Sequence, residues 1–472
     1  MSPLESCQLS PIDELFPPIY LRCQLFFPET NPANCIANLQ LGVKRLLAAV
    51  PLLTGKIERS RSLGWTWKIS ISSATTFDIT RVFKIKYHDM ALGQMFKGAT
   101  TEANPGLPFE SCMPLPLFFN TARPAPIFGL QANVHSDGLL LSLAVSHMVF
   151  DATGMGTVIS SLAKCCRARD DAISLPSSTS FEAETRRKLE SAIPASSTTF
   201  ADHFGDYTAA ANIPAAELCE DVSYVAAGGA YNFTLAAHKV ERLKTLCNTW
   251  IERTAPEGIP WVSSNDIVVA LLWLCVNRAR FPQLRDNSVC SNTPTTLWMP
   301  VNIRGRLRPA IPESYMGNAA ISLQCTHQNL DHFTSPEENL TGESDKLVML
   351  LCRLSQEIRA GIHSMDDEYV RALLFFIINN PATLPPMGVT DVCVSSWRNI
   401  DIYGAEFGEG IGRPLRMRYV DAVGDGVIFI MPQRQDKASP WEINVSLKDE
   451  TMKVLSTDPL WVAYMDVDDF WS

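Results

Sequence analysis

The 472-residue chain has no excess of cationic side chains: 40 Lys and Arg stand against 50 Asp and Glu, a formal net charge of −10. Neutralising a phosphate backbone needs the opposite balance, so no nucleic-acid partner is expected. Two basic clusters, "NIRGRLR" (302–308) and "RPLRMR" (413–418), hold three arginines each. Solvated surface is the expected reading of both, with a small phosphorylated ligand as the alternative. Long apolar runs are also missing, since none reaches the roughly 18 residues a membrane helix needs. The first residues, "MSPLESCQLSPIDELFPPIY", place acids and prolines where a secretory leader needs a basic start and an apolar core. A cytoplasmic chain with no membrane association is expected.

Three chemical signatures are lacking as well. The 13 cysteines run from Cys7 to Cys393 without a C-x-x-C pair, which excludes a zinc ribbon and a thioredoxin-like motif. They are expected to be reduced thiols in the core, with one of Cys165 and Cys166 buried and the other exposed on a helix. No G-x-S-x-G occurs, so there is no nucleophile elbow. The "GEGIG" at 408–412 lacks the spacing of a dinucleotide-binding loop.

Apolar residues are plentiful, 46% of the chain, enough to fill two domains of ordinary size. "IYLRCQLFFP" (19–28) reads as extended, and the helical spacing of Leu39, Val43, Leu46 and Leu47 predicts a helix stopped by Pro51. After it, "LLTGKIE" turns at Gly55 into a strand. "IFGLQANV" (127–134) and "LLLSLAVSH" (139–147) flank "HSDG", which predicts a hairpin with a four-residue connection. "GMGTVISSLAKCCRA" reads as a helix opened by Thr153 and small residues.

Residues 169 to about 225 turn rich in Ser, Thr, Ala, Pro and charge with little periodicity, and read as a crossover linker. They divide the chain into an N-terminal domain, 1–205, and a C-terminal domain, 226–472. The second part mixes helices ("AAHKVERLKTLCNTWIE", "SSNDIVVALLWLCVNRAR" and the stretch 344–378) with strands ("TTLWMPVNIRG", "GNAAISLQC", "VTDVCVSSW", "GDGVIFIMPQR", "WEINVSLKDE"). The expected class is α/β, mixed sheets with helices.

The stretch "LLLSLAVSHMVFDATGMG" (139–156) carries the chemistry. A strand pattern ends at His147, and Asp151 follows four residues later, before small residues. On a helix that spacing would suit metal ligation, but here the pair lies on a turn. No third ligand is evident, because His327 and His332 stand in a separate polar loop, so no metal is expected. Two structural readings compete: a hydrogen-bonded histidine at a strand end, and a carboxylate capping the next helix. The chemical reading is direct general-base catalysis, in which an imidazole near its ordinary pKa of about 6.5 deprotonates a substrate hydroxyl or amine as it attacks an electrophile.

"SHMVFDATG" resembles the H-x-x-x-D motif of the BAHD-type acyl-CoA-dependent acyltransferases. Four more stretches resemble that family in the same order: "LLAAVPLLTGKI" (46–57), "MPVNIRGRLRPAIPESYMGNA" (299–319), "VSSW" (394–397) and "IYGAEFGEGIGRP" (402–414). The likeness spans nearly the whole chain and is nearest to the fungal branch. The last stretch departs from the family's D-F-G-W-G: Glu406 replaces its Asp, and Glu409 its Trp.

The resemblance implies two chloramphenicol-acetyltransferase-like domains, with some segments exchanged between them and a channel running between. His147 would be the base at mid-channel. Asp151 would turn away to pair with an arginine, Arg304 first, and fix the loop; Glu406 is the alternative partner of Arg304. Glu406 and Gly408 would support the site structurally. Ser395, Ser396 and Trp397 are channel or oxyanion candidates, each with a plain structural role as the alternative. The implied function is an O-acyltransferase, an acetyltransferase, acting as a monomer on a hydroxylated secondary metabolite such as a terpenoid or alkaloid. Acetyl-CoA or another acyl-CoA would be co-substrate, with no permanently bound cofactor. The alternatives are an N-acyltransferase and a CoA-independent binding or cyclisation protein on the same scaffold.

Overall fold

The computed structural model describes residues 6–28, 32–60, 67–72, 77–92, 110–169, 173–193, 229–254, 259–286, 294–328, 345–379, 390–419, 421 and 424–468. Among the described residues the strands form three sheets. A four-stranded one runs β1 (Ser6–Gln8), β4 (Trp67–Ser70), β3 (Lys56–Arg59), β6 (Ala125–Pro126). A five-stranded one runs β13 (Arg416–Tyr419), β2 (Tyr20–Pro28), β8 (Gly138–Ser146), β7 (Phe128–His135), β5 (Phe83–Tyr87). The largest has seven: β11 (Ala320–His327), β10 (Thr295–Asn302), β12 (Val392–Ser396), β14 (Val427–Ile430), β15 (Trp441–Leu447), β9 (Gly229–Leu235) and β16 (Met465–Val467). Both larger sheets mix parallel and antiparallel pairs.

The helices are α1 (Pro32–Ala49), α2 (Ala152–Arg167), α3 (Thr179–Ser191), α4 (Ala237–Thr254), α5 (Ser264–Asp286), α6 (Asp345–Ser364), α7 (Asp367–Asn379), α8 (Asp449–Leu455) and α9 (Pro459–Tyr464). None of those described is long and apolar enough to cross a membrane.

Two cores result. In the first, Leu39, Val43 and Leu46 of α1 meet Val158, Ile159 and Leu162 of α2 over the inner residues of β2, β7 and β8. All nine residues of β8 are buried, which is why its sequence reads as a near-continuous apolar run. The second core surrounds α5, whose residues from Ile267 to Val276 are inaccessible on every face. The chain crosses between the two: β13, from its second half, pairs with β2 (Arg416 opposite Phe26), and Trp397, Ile402, Phe407 and Tyr419 pack into the first core.

Four sequence expectations are corrected here. The stretch read as a linker contains α3, which buries Glu182, Thr185 and Arg186 beside Ala183 and Leu189; a helix whose buried face is largely polar leaves no apolar period to read. The rest of that stretch, 170–172 and 194–225, lies outside the described residues. Cys165 and Cys166 are both buried, because α1 covers the second: a Cβ on Gly42 of α1 would meet the Cys166 sulfur. The hairpin turn is shorter than expected, since His135 already pairs with Gly138. His327 ends β11 instead of lying in a loop, and His332 is outside the described residues.

Candidate active site

Pairing of β8 with β2 stops at Ser146 opposite Tyr20, and the chain turns at once. The Ser146 carbonyl accepts from the amides of Val149 and Phe150, both at 3.0 Å, so residues 146–150 close on themselves. His147 is half-buried at this turn, its amide held by the Ile19 carbonyl at 2.9 Å. Its Nδ1 lies 3.1 Å from the Phe150 carbonyl. A carbonyl only accepts, so Nδ1 carries the proton and Nε2 keeps a lone pair. The Phe16 ring packs on the imidazole with centroids 4.4 Å apart. Burial disfavours the imidazolium and pushes the pKa down to about 4, although the bond to Phe150 and the Asp151 carboxylate both pull the other way.

Asp151 does not hydrogen-bond the imidazole. It caps α2, its Oδ1 accepting from the Gly154 amide at 2.7 Å, and its Oδ2 accepts from the Ala319 amide at 2.9 Å. Arg304 closes the remaining positions with a bidentate pair, Nη1 to Oδ2 at 2.9 Å and Nη2 to Oδ1 at 3.0 Å. The Arg304 side chain is 0% exposed. It also donates to the carbonyls of Tyr315 and Gly317. Burial works against its charge, but the Asp151 carboxylate outweighs that and holds its pKa above the ordinary range.

His147 and Asp151 open on a cavity of about 820 Å³ lined from both halves of the chain. Its lining includes Phe16, Ile19 and residues Thr153, Gly156 and Thr157 of α2 from the first half, and Ser395, Ser396 and Trp397 from the second. The two serines differ. Ser396 donates to Asn265 Oδ1 at 2.8 Å, whereas Ser395 accepts from Trp397 Nε1 at 3.1 Å, which leaves its own proton to give. Glu406 and Gly408 do not line the cavity. Glu406 accepts from the Gly408 amide at 2.7 Å within its own turn and does not pair with Arg304. Gly408, at φ +89°, holds the turn in the left-handed region beside Arg167 of α2. The basic clusters are not simply solvated: Arg304 and Arg416 are buried, the latter paired with Asp468. Among the described residues no group of three His, Cys, Asp or Glu side chains is placed to hold a metal ion.

The profile of the Transferase family matches residues 104–460. The O-acetyltransferase anaAT of Neosartorya fischeri is 36% identical over 98% of this chain and 97% of its own. This chain belongs to the Transferase family, the BAHD-type acyltransferases. A second member, the communesin N16 acyltransferase cnsK of Penicillium expansum, is 30% identical over 96% of each chain. The crystal structure of TRI101 of F. sporotrichioides complexed with coenzyme A and T-2 has a TM-score of 0.75, covering 98% of this chain and 99% of that one at 19% identity. The two-domain acyltransferase fold is thus shared at low identity.

The family motifs pointed to the turn but not to everything that holds it. Asn318 lies within the quoted stretch "MPVNIRGRLRPAIPESYMGNA", and its Nδ2 donates to the His147 carbonyl at 2.9 Å. Asp13 and Arg186 had no signal, one in a 3₁₀ turn near the start and the other in the supposed linker, yet both are buried behind the same turn. Phe16 was missed because nothing local marks an aromatic as the cover of a distant histidine.

Proposed function

We propose that this member of the Transferase family is an acyl-CoA-dependent O-acyltransferase, an acetyltransferase that modifies a hydroxyl of a fungal-type secondary metabolite, with His147 as base. The observation that carries the proposal is the tautomer of His147: Nδ1–H committed to the Phe150 carbonyl, and an unprotonated Nε2 in a cavity built by both halves of the chain. Nε2 takes the acceptor's hydroxyl proton as its oxygen bonds to the thioester carbonyl carbon, whose π pair moves to oxygen. Collapse breaks the C–S bond and expels CoA thiolate, which takes the proton from the imidazolium. Ser395 is the hydroxyl with a proton free for the oxyanion, and Trp397 orients it. Asp151, with every lone pair occupied by Arg304, Gly154 and Ala319, fixes the loop and takes no proton.

The N-acyl alternative is favoured by the similarity to the communesin N16 acyltransferase, since the same base serves an amine. The proposal includes a cytoplasmic monomer and a division into domains at 1–205 and 226–472. Two separate hydrophobic cores support the two-domain reading, and light scattering tests the oligomeric state.

The decisive experiment incubates the protein with acetyl-CoA and pooled hydroxylated metabolites, following thiol release and a gain of one acetyl mass on the acceptor. Mass gained on oxygen is expected, and His147→Ala is expected to lower turnover by about 10²- to 10⁴-fold. Mass gained on nitrogen selects the alternative. Absence of thiol release with any acyl-CoA, while a metabolite alone raises the melting temperature, moves the assignment to the CoA-independent scaffold.

A further inference from the structure

Arg304 holds the far end of the 147–151 turn through Asp151, but two carbonyls nearer the histidine are held from elsewhere. The His147 carbonyl accepts from Asn318 Nδ2 at 2.9 Å, and the Val149 carbonyl accepts from Arg186 Nη2 at 3.1 Å. Both donors converge on Asp13. Asn318 Nδ2 donates to Asp13 Oδ1 at 2.9 Å, and Arg186 Nε to Asp13 Oδ2 at 3.1 Å. The third Arg186 nitrogen, Nη1, donates to Glu182 Oε2 at 3.1 Å. Glu182 Oε1 in turn accepts from the Met316 amide at 2.9 Å, which ties α3 to the segment that carries Asn318. Asp13, Glu182 and Asn318 are 0% exposed and Arg186 is 2% exposed.

Two carboxylates and a guanidinium taken out of water are expensive, and well-packed apolar residues of the same volume commonly give equal or greater stability. What the charged knot offers instead is direction. All three guanidinium nitrogens are committed, each to a different acceptor residue, and one of those acceptors is a carbonyl of the histidine's own turn. The Phe150 carbonyl, which takes the His147 Nδ1 proton, is thereby bracketed: Arg186 holds the carbonyl before it, and Arg304 holds the side chain after it through Asp151.

We propose that Arg186, seated on Asp13 and Glu182 and assisted by Asn318, is a positioning residue of the acyl transfer, which keeps the Phe150 carbonyl where it selects the Nδ1–H tautomer of His147. The inference rests on the proposed role of His147 as base. It assigns a function in the reaction to α3, none of whose residues lines the cavity.

The test uses the full-length protein with three variants: Arg186→Lys, Asn318→Ala and His147→Ala. Lysine keeps the charge of Arg186 but has one nitrogen where the guanidinium uses three, so charge alone does not restore the clamp. For Arg186→Lys and Asn318→Ala we expect kcat to fall by about 10- to 100-fold, the scale of a slightly misplaced catalytic group, with the KM for acetyl-CoA nearly unchanged. The acid limb of kcat/KM should move from about pH 4 towards the ordinary histidine value of 6.5, because a loosened imidazole regains water. Nitrogen-15 NMR of the imidazoles, with the His147 signal assigned by its loss in His147→Ala, should show one tautomer in the parent and a mixture in the variants.

Variants that melt earlier yet keep the parent's kcat, acid limb and single tautomer would overturn the proposal, leaving Arg186 a purely structural residue. If Arg186→Lys does not fold, Asn318→Ala decides it, since that change removes a single side-chain amide. If His147→Ala stays active, the base reading falls, and the tautomer measurement still decides whether Arg186 orients the ring.

Discussion

At His147 a side chain of ordinary pKa is held neutral across the physiological range, which is what the proposed base requires. Burial under Phe16 penalises the charged form, and the Phe150 carbonyl takes the Nδ1 proton, so the neutral Nδ1–H tautomer is held in place. We expect kcat/KM against pH to keep its plateau below pH 6 and to fall only near pH 4; a limb at 6.5 would mean that the imidazole is hydrated in solution. The same shift bears on stability. Between 6.5 and about 4 the unfolded chain binds a proton at this histidine that the folded chain does not, so His147 destabilises the fold as pH drops through that window and has no effect above it. Melting curves of the parent and of His147→Gln across pH 4–7 should therefore converge at the upper end and separate at the lower, the parent being less stable there.

At the scale of elements, the N-terminus of α2 determines where the site lies. Asp151 caps the helix and is gripped by Arg304, and Gly154 allows the 316–319 segment to pass against its first turn. A Cβ at Gly154 would stand 1.8 Å from the Met316 carbonyl oxygen, which the backbone there cannot vacate. Gly154→Ala is expected to destabilise at or above the upper end of the ~1–3 kcal/mol typical of overpacking, read from denaturant midpoints. Truncating Asp151 leaves the Arg304 charge and two bare amides, and truncating Arg304 leaves the Asp151 charge and two bare carbonyls, for an expected cost of about 3–5 kcal/mol each. In a double-mutant cycle the two losses should fall well short of additive, whereas strict additivity would show that the pair contributes nothing jointly. The sequence offered capping as one reading of Asp151 and the family resemblance implied pairing with Arg304; that one carboxylate does both at once is seen where Arg304 reaches it from 153 residues away.

For the whole molecule, the relevant feature is that the cavity is not the property of either half. Its lining draws on residues from Phe16 to Phe429, and β13 returns from the second half to complete the sheet of the first. A ligand that fills such a cavity binds only the folded chain and must stabilise it. Acetyl-CoA at 100 times its dissociation constant is expected to add about 2.7 kcal/mol, visible as a clear rise in melting temperature. A flat response to acetyl-CoA and to longer acyl-CoAs would contradict the proposed co-substrate.

The sequence by itself was sufficient for what depends on near neighbours. The apolar run of β8, the turn after it, the helix behind Asp151 and the order of the family motifs are all local patterns, set by side-chain period and by residues a few positions apart. Tertiary structure alone decided which serine keeps a free proton, that Phe16 covers His147, and that Asp13, Glu182 and Arg186 meet behind the turn. A buried polar cluster has no period, because it is defined by hydrogen bonds between groups such as Asp13 and Asn318, 305 residues apart. Each of those residues, read alone, carries the composition of an exposed loop, and only the packing of α3 against the turn gives it another meaning.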